Sequence, residues 1–141
     1  MHLTTVLALV GRLVQDRVAQ ALTELGVSYA EASALMRLWY AGGHMPQSDM
    51  IQSLSLSRTA CTLLLNQLER KGLVERRNDR RDGRRLMVWL TPAGQDLEQP
   101  VLEAIEQVES VIRAPLPARD VEDSFRMLRA VLQAVQTGRN A

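Results

Sequence analysis

Residues 57–91 read SRTACTLLLNQLERKGLVERRNDRRDGRRLMVWLT, and this stretch begins with the pattern of a helix. Ser57 is a favourable N-cap, because its hydroxyl can accept a hydrogen bond from a free backbone N–H of the first turn. The inward face is apolar at steps of three and four residues through Cys61, Leu64, Leu65 and Leu68. Gly72 follows where a helix end favours a left-handed residue. We therefore predict a helix that starts after Ser57, ends before Gly72 and packs one face on a core.

The opposite face of this predicted helix carries Thr59, Thr62, Leu63, Asn66 and Arg70. Thr and Asn are poor helix formers, so helix propensity does not explain their presence on an exposed face. An Asn side chain can pair with adenine through two hydrogen bonds, and a Thr methyl group can contact thymine. The face is a candidate for reading DNA bases, and a solvated helix surface is the alternative.

A charged β-hairpin is predicted after Gly72. One strand begins at Leu73 and Val74, and residues 86–90 alternate in the period-2 pattern of a second strand. Between them lie the turn pairs Asn78-Asp79 and Asp82-Gly83. A helix followed by a charged hairpin is the plan of a winged helix-turn-helix, so the sequence predicts a mostly α fold with a small β-wing.

Positive charge is concentrated in this part of the chain. Residues 58–85 contain nine Lys and Arg and four Asp and Glu, whereas the whole chain contains 17 and 16. The rest of the chain is therefore acidic on balance. A basic patch beside an exposed helix is the electrostatic footprint of phosphate binding. A solvated, salt-bridged hairpin is the alternative reading of the same charges.

The segment from Leu68 to Gly94 resembles the MarR family of bacterial transcription regulators. The run Leu68-Glu69-Arg70-Lys71-Gly72-Leu73-Val74 is similar to the helix end of that family, Asp82-Gly83-Arg84 to its wing tip, and Val88-x-Leu90-Thr91-x-x-Gly94 to its exit from the wing. The spacing agrees over these 27 residues without a gap. The resemblance implies that the helix enters the major groove of DNA and that a wing-tip arginine enters the adjacent minor groove.

Carried over residue by residue, the resemblance gives Thr59, Thr62 and Asn66 as base or phosphate contacts. Arg84 becomes the minor-groove arginine, and Asp82 becomes the carboxylate that orients it. Leu63 departs from the family, which often has Arg there, so base reading would depend more on methyl contacts and on the wing. The full set of predicted DNA-binding residues is Ser57, Arg58, Thr59, Thr62, Asn66, Arg70, Arg77, Arg80, Arg81, Asp82, Arg84 and Arg85.

The segment before this helix is predicted to be helical in three pieces. An amphipathic helix covers residues 3–25, and Gly26 ends it. Ser28 and Glu31 fit a capping box at the start of a second helix, which Gly42-Gly43 stops. Pro46 is predicted as the first residue of a short third helix. Residues 46–71 would then form the helix-turn-helix and residues 73–90 the wing.

The segment after the wing is predicted to form two helices. Thr91 and Pro92 open the first, which Pro100 should kink because it lacks an N–H. Pro115 and Pro117 end it, and a last helix covers about residues 118–136. We predict one domain over residues 1–141, with a DNA-binding lobe at 28–91 and dimerisation helices at 1–27 and 92–141.

The terminal helices carry long apolar stripes that one small DNA-binding lobe cannot cover. The resemblance implies that the first and last helices interlock in a homodimer, which would read a near-palindrome with half-sites about one DNA turn apart, ~34 Å. A monomeric helical bundle is the alternative.

Other features of the sequence exclude several classes. No run of about 18 apolar residues predicts a membrane span, there is no signal-peptide layout, and a single cysteine argues against a disulfide scaffold. We therefore expect a cytoplasmic protein. No phosphate loop, nucleophile elbow or metal-ligand spacing is present, so we expect no enzyme activity, no cofactor and no metal site.

Two smaller predictions complete the set. Cys61 lies on the inward face, where a buried hydrophobic role is expected and redox sensing is the less favoured alternative. The resemblance implies a small aromatic or phenolic effector, for which Arg17, Trp39, Tyr40 and His44 are candidate pocket residues.

Together these observations predict a sequence-specific DNA-binding transcription regulator of the MarR type, acting as a ligand-responsive repressor. The alternative is a nonspecific architectural DNA-binding protein, which would have the same charge footprint.

Overall fold

The computed structural model describes residues 1–138, which are mostly helical with one three-stranded antiparallel sheet. Contacts divide the chain into two compact units, Met1–Ile105 and a second that begins at Glu106. The division falls within a helix of the predicted C-terminal segment, and the predicted lobe at residues 28–91 lies wholly in the first unit. The last three residues of the predicted segment 92–141 lie outside the described residues.

The helices and strands agree with the predicted fold class of a mostly α chain with a β-wing. The helices are α1 (Leu3–Leu22), α2 (Tyr29–Tyr40), α3 (Gln47–Leu54), α4 (Arg58–Arg70), α5 (Pro92–Asp96), α6 (Glu98–Arg113) and α7 (Ala118–Gly138). The strands are β1 (His44–Pro46), β2 (Val74–Asn78) and β3 (Leu86–Leu90). A short 3₁₀ turn, Thr23–Leu25, extends α1 to the left-handed Gly26.

Strand β1 is absent from the sequence prediction, which gave Pro46 as the first residue of a helix. The structure corrects this by one residue: Pro46 ends β1 and caps α3, which begins at Gln47. Strand β3 lies in the middle of the sheet, in the order β1-β3-β2. Since β1 has only three residues, it shows no alternation in the sequence and depends on the free edge of β3 for its hydrogen bonds.

The start of α2 has the predicted capping box. The Ser28 hydroxyl accepts a hydrogen bond from the Glu31 N–H at 3.1 Å, and the Glu31 carboxylate accepts one from the Ser28 N–H at 3.1 Å. Glu31 is buried, and its carboxylate is paired with the Lys71 ammonium at 2.7 Å. This ion pair joins the start of α2 to the residue that caps α4.

The core of the first unit lies between α2, α4 and the sheet. Its largest completely buried side chains come from six elements: Leu22, Leu35, Leu38, Met50, Leu65, Leu68, Val88 and Val101. Packing of these apolar surfaces is the main favourable contribution to folding. Helix α4 is therefore held by one face, which leaves its other face exposed.

The helix after the wing is interrupted rather than only kinked. Thr91 caps α5 with Pro92 in the first turn, as predicted, but the helical hydrogen bonding breaks at Leu97 and resumes in α6. Pro100 therefore lies in the first turn of α6, where its missing N–H removes no helical hydrogen bond. The proline ring clashes with the carbonyl four residues earlier, which explains the break before it.

Helices α1 and α7 each expose an apolar face. On α1 the side chains of Leu3, Leu9, Val10 and Leu13 are between 43% and 63% exposed. On α7, in the second unit, those of Phe125, Leu128, Leu132 and Val135 are between 45% and 61% exposed.

Candidate functional site

Helix α4 is fixed at both ends by its own sequence. The Ser57 hydroxyl accepts a hydrogen bond from the Ala60 N–H at 3.1 Å. At the other end Gly72 is left-handed, with φ 70°; its N–H donates to the Glu69 carbonyl at 2.9 Å and the Leu73 N–H to the Leu68 carbonyl at 3.0 Å. These two bonds form a Schellman motif, which turns the chain directly into β2.

The inward face of α4 is buried as predicted, so the opposite face is presented outward. Cys61, Leu64, Leu65 and Leu68 are at most 6% exposed, whereas Leu63 is 58% exposed. Thr59 and Arg70 are also exposed. Thr62 is half-buried, and its hydroxyl donates to the Arg58 carbonyl at 2.9 Å within the helix. Because the hydroxyl is engaged there, the methyl group is the part of Thr62 left to contact a base.

Asn66 differs from the other residues of this face. It is half-buried, and its side-chain oxygen accepts a hydrogen bond from the Arg76 guanidinium. Arg76 lies on β2 and also contacts Glu69 through two nitrogens. Arg76 is not among the DNA-binding residues predicted from the sequence. The sequence does contain a signal for its burial, because Arg76 lies two residues after the buried Val74 and so shares a face of β2 with it.

The wing tip, residues 79–85, has an ordered backbone built by two aspartates. The Asp79 carboxylate accepts a hydrogen bond from the Arg81 N–H at 2.9 Å, and that of Asp82 accepts one from the Arg84 N–H at 3.1 Å. The Asp79 N–H donates to the Arg85 carbonyl at 2.7 Å. Asp82 therefore contacts the backbone of Arg84 instead of its guanidinium.

The wing-tip arginines project into solvent. Arg80, Arg81, Arg84 and Arg85 are all exposed, and none of them forms an ion pair with the residues that the structure describes. Arg77, on β2, is paired with Glu75 at 2.7 Å. A groove at the base of the wing tip brings Arg58 of α4 together with Asp82, Arg84 and Arg85. Arg58 of the helix start therefore shares a groove with Arg84 and Arg85 of the wing. The other predicted wing arginines line a second groove with His44 and Trp89; they are Arg77, Arg80 and Arg81.

The four residues predicted for an effector pocket have different surroundings. Arg17 is exposed on α1, and Tyr40 is 79% exposed. The Trp39 indole donates to the Gly94 carbonyl at 3.2 Å. His44 lies on the outer face of the wing, stacked on Trp89 with ring centroids 4.2 Å apart.

A separate cavity lies within the first unit. It has a volume of about 250 Å³ and is lined by Val14, Val18, Tyr29, Ala32, Ser33, Met36, Arg37 and Ile105. Most of the lining residues are apolar, and three have polar side chains: Tyr29, Ser33 and Arg37. None of the four residues predicted for the effector pocket is in this lining.

The thiol of Cys61 is buried on the inward face of α4. Burial raises the pKa of the Cys61 thiol, against a smaller opposing effect of the Arg76 charge. The raised pKa favours the protonated thiol, which is the unreactive form.

Across residues 1–138 no group of three or more His, Cys, Asp or Glu side chains is placed to hold a metal ion. No helix in that range combines the length and apolar character needed to cross a membrane.

An exposed helix, a tight glycine turn and an arginine-tipped hairpin define a winged helix-turn-helix protein. Residues 27–86 match the MarR family model. The matched segment contains α2 to β2 and the wing tip, so the winged helix-turn-helix part of the chain is similar to the MarR family.

Individual proteins show similarity to this chain in sequence or in fold. The chain is 28% identical over 74 residues to the uncharacterized HTH-type transcriptional regulator YwhA of Bacillus subtilis, covering 52% of this chain and only 53% of that protein. A probable transcriptional regulator from Pseudomonas aeruginosa has the same fold, with a TM-score of 0.73, 27% identity and coverage of 89% of this chain and 95% of that one. The fold also matches S. aureus MepR in its DNA complex, with a TM-score of 0.86, 21% identity and coverage of 95% and 98%.

Proposed function

We propose that this protein is a transcription regulator that binds DNA sequence-specifically through α4 and the wing. The observation that carries the proposal is the set of four exposed wing-tip arginines without ion-pair partners among the described residues, two of which, Arg84 and Arg85, share a groove with Arg58 of α4. Arginine in this state can bind phosphate or enter a narrow minor groove. We expect that it has no enzymatic activity and that it acts in the cytoplasm.

We propose that the regulator acts as a homodimer on a pseudo-palindromic operator. The exposed apolar faces of α1 and α7 support this, because apolar surface of this extent is characteristic of protein–protein interfaces. A two-fold dimer would present two copies of α4, which fit half-sites about one DNA turn apart, ~34 Å.

We also propose repression that is relieved by a small aromatic or phenolic effector. The cavity of about 250 Å³ is a better candidate for the effector site than the four residues chosen from the sequence, because its lining combines apolar walls with Tyr29 and Arg37. Arg37 could pair with a carboxylate, and the apolar walls could hold a ring.

An architectural DNA-binding protein is the second candidate, since it would use the same basic surface. Both proteins would lose affinity with salt, because phosphate contacts dominate both kinds of binding. Only the regulator requires α4 to discriminate between sequences.

Two substitutions test the proposed reading surface on a duplex selected from random DNA by the wild-type protein. Arg84→Ala should weaken binding to the selected duplex, and Thr62→Ala should reduce its preference over random DNA by about 1–3 kcal/mol if Thr62 contacts a base. Arg12→Ala is the matched control, because Arg12 is an exposed arginine outside the wing and lies on the opposite side of α1 from Val10 of the apolar face. If Arg84→Ala and Thr62→Ala both behave like Arg12→Ala, the proposed surface is wrong.

A further inference from the structure

One side chain, Arg76, joins α4 to strand β2. Its Nε donates to Glu69 Oε1 at 2.9 Å, and its Nη2 donates to Glu69 Oε2 at 3.0 Å and also to Asn66 Oδ1. The backbone N–H of Arg76 donates to Glu69 Oε1 at 2.9 Å. We call Asn66, Glu69 and Arg76 the clamp.

The clamp occupies a position where an apolar residue would be expected. Arg76 is paired in the sheet with Val88, which is completely buried, and its own side chain is only 18% exposed. A charge at such a position requires partners, because an unpaired buried charge is strongly destabilising. Two parallel bonds between a guanidinium and a carboxylate also fix direction, which apolar contacts do not.

We propose that Arg76 is a positioning residue for DNA binding and that Asn66 serves the clamp instead of reading a base. The proposal rests on the proposed function. Strand β2 leads directly into the wing tip, so its attachment to α4 sets the distance between the helix and Arg84. A site held in its binding geometry before DNA arrives loses less entropy on binding.

The state of Asn66 supports this role. Pairing with adenine through two hydrogen bonds needs both the side-chain oxygen and the amide N–H. The oxygen of Asn66 already accepts a hydrogen bond from Arg76, which holds the amide toward β2 and leaves only one further lone pair on that oxygen for a base. This inference replaces the base contact that the sequence predicted for Asn66.

A double-mutant cycle separates positioning from reading. The affinity for a selected duplex is measured for the wild-type protein, Asn66→Ala, Arg84→Ala and the double variant. If Asn66 acts through the wing, Asn66→Ala should weaken binding by about fivefold in the wild-type background and by less than about twofold in the Arg84→Ala background. Gln107→Ala, a change at an exposed residue of α6 outside α4 and the wing, is the control and should have no effect in either background.

The contrary outcomes are distinct. An equal loss from Asn66→Ala in both backgrounds would mean that Asn66 contacts DNA independently of the wing, and it would overturn the inference. If Arg84→Ala leaves the affinity unchanged while the wild-type protein still prefers its selected duplex, the positioning role of Arg76 is wrong. The proposal of sequence-specific DNA binding would stand in that case. A wild-type protein without preference for any duplex would overturn the proposed function itself.

A conservative variant guards against a folding defect. Asn66→Asp keeps an acceptor for Arg76 but removes both amide donors. Its ratio of specific to random affinity should stay within about threefold of wild type, since general repulsion of phosphate by the new charge cancels in the ratio. Arg76→Lys, which cannot make the two parallel bonds, should reduce the ratio by about as much as Asn66→Ala. If Asn66→Asp lowers the ratio of specific to random affinity as much as Asn66→Ala does, Asn66 does not act by accepting a hydrogen bond from Arg76.

Discussion

At residue 94 the chain passes so close to the turn after α4 that only glycine fits. A Cβ atom there would lie 2.1 Å from the Leu73 backbone oxygen and 3.0 Å from a methyl carbon of Leu90. Gly94 cannot move away easily, because its N–H donates to the Thr91 hydroxyl and its carbonyl accepts from Trp39. The glycine of the family-like exit motif is thus explained by a backbone contact.

We predict that Gly94→Ala lowers the free energy of unfolding by about 2 kcal/mol or more, because backbone atoms must shift to make room. Urea denaturation followed by circular dichroism measures this. Gly83→Ala is the control, since a Cβ at residue 83 meets no atom within 4 Å, and it should change stability by less than about 0.5 kcal/mol. Equal stability of the two variants would contradict the close approach.

At the scale of elements, the attachment of β2 to α4 should depend on pH. The hydrogen bond from the Arg76 guanidinium lowers the pKa of Glu69, against partial burial that raises it. A carboxyl with a lower pKa in the folded chain binds fewer protons there than in the unfolded chain. Its stabilising effect is therefore complete above the ordinary pKa of glutamate and is lost as the pH falls through the folded value.

We predict that the difference in unfolding free energy between the wild-type protein and Glu69→Gln narrows as the pH is lowered from about 6 to about 3. The comparison isolates Glu69, because the other carboxyl groups titrate in both proteins. A difference that stays constant over this range would show that the charge of Glu69 does not stabilise the clamp.

Elements with local signals could be predicted from the sequence, and elements that depend on distant partners could not. The cap of α4 at Ser57, its end at Gly72 and the capping box of α2 each involve residues within a few positions of one another. Strand β1 and the bonds of Arg76 depend on sheet register, which brings together residues far apart or on opposite elements. The same limit applies to the cavity beside Tyr29, whose lining comes from three helices.

At the scale of the whole molecule, the proposed dimer makes a prediction about α7. Leu132 is 56% exposed on the apolar face of that helix. In a two-fold dimer both subunits would bury Leu132, so one substitution removes two apolar contacts from the interface. Leu132→Glu should therefore weaken dimerisation by about 100-fold or more, as measured by sedimentation equilibrium. Ala130→Glu is the control, because residue 130 is exposed and lies on the opposite side of the helix from residue 132.

Unchanged dimerisation of Leu132→Glu, or a wild-type protein that is monomeric at micromolar concentration, would contradict the role of α7. A reduced affinity of Leu132→Glu for DNA alongside its dissociation would connect the dimer to operator binding.

The most direct test of the central claim is the ratio of affinities for specific and random DNA. The wild-type protein is titrated, at one near-physiological salt concentration, with a duplex from immediately upstream of its own gene or one selected from a random pool, and with random DNA of equal length. A sequence-specific regulator should prefer its site by about 10³-fold or more. Equal, weak and salt-sensitive binding to random DNA and to the duplex selected from the random pool would contradict the claim. It would favour the architectural alternative.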